Sequence, residues 1–107
     1  MQLLAALAIL TSAAAANEWT LYCGSACSDG TVIASGKDWE DAPCTNFDDG
    51  TTYDHCYIES DEPYWKAVVY SRDSCRSAGE AGDLQSMFPG ECSDKGAWKS
   101  YQVVLNL

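Results

Sequence analysis

His55 is the only histidine in the chain, in the run Tyr53-Asp54-His55-Cys56-Tyr57. A general base needs a nucleophile and an orienting partner within hydrogen-bond reach, and the sequence marks neither. Ser25, Ser28, Ser74 and Ser93 stand in turn contexts, and a bridged Cys56 is no nucleophile. His55 therefore reads as a half-buried structural residue. Carboxylates are the other candidates for chemistry. Glu59 with Asp61 and Glu62, or Asp38 with Glu40 and Asp41, could form the acid pair of a small hydrolase. With so many acids in the chain, solvated acidic faces are the better reading of the same clusters. The close pair Cys23 and Cys27 suits metal or redox chemistry, but six cysteines in a short secreted chain read first as disulfides. No zinc spacing, phosphate-binding loop or cofactor fingerprint is present, so no cofactor is expected.

Four tryptophans are many for this length. Trp19 and Trp98 fall within strand-like runs and are expected in the core. Trp39 lies in an acidic connection, and Trp65 follows Tyr64 at a break in the pattern. Exposed Trp is favoured at interface hot spots. Trp39 with Asp38, Glu40 and Asp41, and Tyr64 with Trp65, are therefore the candidate partner-binding residues.

These side chains need elements to position them. Met1 to Ala16 carries no charged side chain, has an apolar run at Leu3 to Leu10, and ends Ala14-Ala15-Ala16. It reads as a secretory signal peptide, too short to span a bilayer comfortably. Residues 17–107 then form one domain, small enough to gain from covalent staples. Strand signals dominate at Trp19 to Cys23, Thr31 to Ala34, Thr51 to Glu59, Tyr64 to Ser71 and Trp98 to Leu107. Lys37 to Pro43 reads as irregular with a helical turn at Asp38 to Asp41, and Asp83 to Met87 as a short helix. Ser60 to Pro63 breaks the chain.

One stretch is stated twice. At an offset of 48 residues Tyr22 lands on Tyr70, Cys27 on Cys75, Cys44 on Cys92 and Tyr53 on Tyr101. A fixed period marks duplication. Copy one is 17–63 and copy two 64–107. Each reads as a four-strand Greek key, in spatial order 4-1-2-3, and two of them packed face to face give an all-β, disulfide-stapled sandwich. Six cysteines allow fifteen pairings. Giving equivalent positions equivalent work predicts Cys27–Cys44 and Cys75–Cys92. That leaves Cys23–Cys56, between the first and fourth strands of copy one.

At these residues the chain resembles the βγ-crystallin superfamily. Tyr22 is followed by Cys27 and Gly30, and Tyr70 by Cys75 and Gly79, where that family has Tyr, a second aromatic and Gly in a folded hairpin. Cys44-Thr-Asn-Phe47 and Ala97 to Val103 resemble the ends of its motifs. The resemblance implies a duplicated Greek-key domain. Asp48-Asp49-Gly50-Thr51-Thr52 resembles its calcium motif, with Asp48, Asp49 and Thr52 as ligand candidates. The matching place in copy two, Gly96 to Tyr101, has no acid, and calcium wants six to eight oxygens, so a weak site is all that is expected. Secreted microbial members of the superfamily include killer toxins and a metalloproteinase inhibitor. The chain is also similar in size, signal and composition to the small cysteine-rich secreted proteins of fungi regarded as effectors or toxins.

Net charge is −10, and such a surface repels nucleic acid and anionic lipid headgroups. From Asn17 to Pro63 eleven acids face Lys37 alone, while from Tyr64 onward five acids balance five bases. The expectation is a secreted, monomeric, non-enzymatic protein of effector or killer-toxin type. It would bind a protein target, a basic one suiting its charge, with no nucleic acid and no membrane span. Two alternatives stay open. One is a protease inhibitor presenting the Arg72 to Gly90 loop, and the other is a small hydrolase using a carboxylate pair.

Overall fold

A computed structural model describes residues 18–48 and 50–106. The expected signal peptide lies outside the described residues. Among those described, no helix is long and apolar enough to cross a membrane. The domain is all-β, as its patterning predicts. Among the described residues seven strands run β1 Trp19–Gly24, β2 Gly30–Gly36, β3 Ala42–Asn46, β4 His55–Glu59, β5 Trp65–Tyr70, β6 Leu84–Met87 and β7 Ser100–Leu105. They form two sheets, ordered β2-β1-β4 and β3-β7-β5-β6.

Period-two burial builds the core. β1 turns Trp19, Leu21 and Cys23 inward, and β4 turns Cys56 and Ile58. From the second sheet come Trp65, Ala67, Val69, Met87, Tyr101 and Val103. Trp19 and Trp65 meet in this core with ring centroids 6.2 Å apart. Two glycines make room for indoles. A Cβ on Gly36 would lie 2.5 Å from Trp19 Nε1, and one on Gly96 would lie 2.6 Å from Trp98 Cε2. The sequence reading of Trp19 and Trp98 as core residues agrees with their burial.

Three expectations about elements are corrected. Asp83 to Met87 is no helix. Leu84–Met87 is a strand paired with β5 from Ala67↔Met87 to Tyr70↔Leu84, because pairing beside a formed strand outweighs what four residues gain as an isolated helical turn. Asp38 to Asp41 is no helical turn either, since Asp38 and Trp39 both take left-handed backbone, at φ 55 and φ 70. Third, the strand order is not 4-1-2-3 within each copy. The fourth strand does pair with the first, as β1 with β4 and β5 with β7. The segment expected third in each copy, however, does not stay in the sheet of that copy's first strand. β3 pairs with β7 through Thr45↔Tyr101 and Asn46↔Ser100, and Cys92 bridges to Tyr57 of β4.

That exchange corrects the disulfides. Cys23 is bonded to Cys56 across the β1–β4 pair. The other two bonds join Cys27 to Cys92 and Cys44 to Cys75, in place of the expected Cys27–Cys44 and Cys75–Cys92. Each third segment is stapled to the hairpin end of the sheet it actually joins.

Candidate functional site

Cys27, His55 and Cys92 converge, their ligand atoms within 4.8 Å of one another. The two sulfurs are bonded to each other, so neither is available as a nucleophile or a thiolate ligand. His55 Nδ1 lies 3.0 Å from the Ser93 carbonyl oxygen and 3.8 Å from Cys27 Sγ. A carbonyl only accepts, so Nδ1 carries the proton and donates it. Ser93 is itself buried and locked to β4, its N–H donating to Cys56 O at 2.8 Å while Cys56 N–H donates to its Oγ at 3.0 Å. His55 therefore has a structural task, fastening the Cys92 segment to β4.

The carboxylates Glu59, Asp61 and Glu62 are all exposed. Glu59 acts on Tyr22, whose phenol is held above its usual pKa first by a hydrogen bond to Glu59, then by burial and by the Glu59 charge. Tyr22 in turn stacks on Tyr57, centroids 4.8 Å apart and planes 11° apart. Sequence reasoning missed this pair, although a signal existed. Once Cys23 faces Cys56 on antiparallel strands, the preceding Tyr22 must face Tyr57.

Of the calcium candidates, Asp49 lies outside the described residues. Asp48 lines one shallow cleft with Thr31, Thr45 and Tyr53. Thr52 lines others, one of which it shares with Asn46, Asp73 and Lys99. The lining of that cleft is mixed in charge, with one carboxylate and one ammonium side chain.

The Arg72 to Gly90 connection is organised around one carboxylate. Asp83 is buried and accepts from Ala78 N–H at 2.7 Å and from Ser71 Oγ at 3.2 Å, with Arg72 Nε at 4.0 Å. Its pKa is lowered, chiefly by the Ala78 hydrogen bond and against the opposing effect of burial.

The aromatic candidates divide. Trp65 has 0% exposure and is a core residue, so it is removed from the partner-facing set. Its place at the opening of β5 points it inward, where sequence position beside a chain break suggested the rim. Trp39 is 58% exposed, and the other three tryptophans are buried. Its ring stacks on Tyr64, centroids 5.1 Å apart and planes 15° apart. The copy-one turn and the start of copy two are thereby brought together, which the sequence did not foretell.

The turn that carries Trp39 is built and held. Glu40 N–H donates to Lys37 O at 3.1 Å, and Lys37 N–H donates to Glu40 Oε1 at 3.1 Å. The buried Trp19 indole donates to Glu40 O at 2.8 Å and so ties the turn to the core. Within that frame a bulky residue sits at φ 70, a conformation costing an L-residue roughly 1–2 kcal/mol. Local strain of this kind persists only where the surroundings impose it. Carboxylates surround the pair. Asp38, Glu40 and Asp41 flank Trp39 and are exposed. Glu18 Oε1 lies 3.4 Å from both Tyr64 Oη and Trp65 Nε1. The Tyr64 phenol is raised above its usual pKa by partial burial, then by the charges of Glu18 and Glu62 and the Glu18 hydrogen bond.

No protein-family model, curated protein or solved structure matches the chain.

Proposed function

We propose that this is a secreted, non-enzymatic binding protein of effector or killer-toxin type, docking on a protein of a host or competitor through the surface around Trp39. The observation that carries the reading is Trp39 itself. A large apolar ring is displayed at 58% exposure on a strained turn that the core tryptophan Trp19 holds in place. Exposed Trp in a fixed frame is the composition of an interface anchor. The signal-like Met1 to Ala16 run and three disulfides favour secretion. The bonding of His55 and of both neighbouring sulfurs leaves no activated nucleophile in that cluster. For the fold we propose a βγ-crystallin-like duplication whose two copies exchange their third segments. Its support is the matched placement of β3 beside β7 and of Cys92 beside β4.

Affinity capture from plant and fungal extracts tests the function, run in parallel with wild type and Trp39→Ala. A protein held by wild type and released by the variant supports it. An identical set on both removes Trp39 from the interface. The inhibitor reading keeps one specific support, the Arg72 to Gly90 loop fixed around Asp83, and inhibition of an extracellular protease abolished by Asp83→Ala but not by Trp39→Ala would favour it instead.

A further inference from the structure

Tyr64 covers one face of the Trp39 indole. The residue is nonetheless 58% exposed, and with Tyr64 on one face the approach left to a ligand is from the opposite one. Indole presents its negative face to whatever approaches from that side, and it is the strongest of the aromatic side chains for cations. The charge around it is predominantly negative. Asp38, Glu40 and Asp41 flank the ring in the chain, and Glu18 and Glu62 act on the stacked Tyr64. Lys37 is the only base between Asn17 and Pro63, and its exposed ammonium is outnumbered there by the carboxylates. Three exposed carboxylates beside Trp39 in the chain, with Glu18 at the stacked Tyr64, give no advantage to a neutral ligand and repel an anion, while a cation gains from both the ring and its surroundings.

We infer that the open face of Trp39 is a receptor for a cationic side chain of the partner, an arginine guanidinium before a lysine ammonium. A planar guanidinium stacks on the indole and turns its N–H groups outward to the carboxylates, whereas an ammonium is a compact, strongly hydrated point charge. Glu40 is already turned to Lys37 N–H, so Asp38 and Asp41 supply the charge pairing. The inference rests on the reading of this surface as the docking face and gives that face its ligand chemistry.

The probe is a short capped peptide of alternating glycine and arginine, compared with the same peptide carrying citrulline, which is neutral and nearly isosteric. The readout is the indole N–H resonance of Trp39 in the oxidised full chain, distinct from those of three buried tryptophans. The arginine peptide shifts that resonance saturably, and its affinity falls as salt rises. The citrulline peptide binds at least several-fold more weakly. Followed through Tyr64, Trp39→Ala weakens the arginine peptide about three- to fivefold, the factor an exposed cation–π contact of ordinary strength corresponds to. Lys37→Gln strengthens it. Equal binding of the two peptides, or a Trp39 shift produced by a neutral oligosaccharide and not by the arginine peptide, overturns the inference. If a captured protein partner depends on Trp39 while the arginine peptide is silent, the docking surface stands and its cationic ligand is wrong. If the arginine peptide shifts Trp39 while the captured partner ignores Trp39→Ala, the ligand chemistry stands and the docking reading fails.

Discussion

Cys27, at the hairpin end of the first sheet, is bonded to Cys92, 65 residues further on and in the other copy. Its counterpart by repeat symmetry, Cys75, is bonded to Cys44. The segments before and after Pro63 are thus sewn to each other rather than each to itself. Peptide mapping of the unreduced protein should return Cys27–Cys92, Cys44–Cys75 and Cys23–Cys56. A Cys27–Cys44 peptide contradicts the exchange of third segments. Replacing Cys27 and Cys92 together by serine should cost about 4 kcal/mol on the chain-entropy account for a loop of 65 residues, read as a shift in the denaturation midpoint.

Truncation at Trp65 and at Trp39 is governed by different physics. Trp65 is fully buried against Trp19, so Trp65→Ala should cost about 3–5 kcal/mol. At Trp39 the left-handed backbone decides. Trp39→Gly should be more stable than Trp39→Ala by about 1 kcal/mol, because glycine alone adopts that conformation without a Cβ penalty. Chemical denaturation of the three variants checks both claims. An alanine variant as stable as the glycine variant contradicts the backbone geometry of the turn.

The architecture was legible where periodicity and repetition carry it, and illegible where symmetry leaves two answers. Alternation in Trp19-Thr-Leu-Tyr-Cys23 predicts β1 and its inward face, and Trp19, Leu21 and Cys23 are buried. The repeat predicts that Cys27 and Cys75 do the same job, and they do. Cys27–Cys44 with Cys75–Cys92, and Cys27–Cys92 with Cys75–Cys44, satisfy the repeat equally, and only the path of β3 in space chooses between them. β3 itself, Ala42-Pro-Cys-Thr-Asn46, has only one buried residue and hence no hydrophobic signal to find. The Trp39 surface was half legible. Its charge and its tryptophan stand in the sequence, but the strained turn and the Tyr64 stack depend on contacts between segments 25 residues apart in the chain.

Asp83 links pH to the order of the Arg72 to Gly90 loop. Its pKa in the fold is lowered, first by the Ala78 hydrogen bond. A carboxylate with a depressed folded pKa adds stability that is present above its unfolded value, near 4 for Asp, and is lost as pH falls through the lower folded value. Wild type should therefore lose stability on acidification below about pH 4 more steeply than Asp83→Asn, and the variant should be the less stable near neutrality. Parallel stability curves for the two, converging as pH falls, are the expected result. A constant gap across the acid range contradicts the role given to Asp83.

Trp39 stands among exposed carboxylates, so the association rate of the captured protein partner tests its role most directly. Wild type is compared with Asp38→Asn/Glu40→Gln/Asp41→Asn, in which Gln keeps the Lys37 hydrogen bond within reach, and with a control neutralised at the exposed Glu80 and Glu91 of the other copy. The on-rate for wild type should fall about tenfold or more between low and physiological ionic strength, as for steered encounters. It should drop comparably in the rim variant at low salt and hardly at all in the control. An on-rate indifferent to salt, or equally sensitive to both sets of substitutions, would contradict the claim that this surface meets the partner.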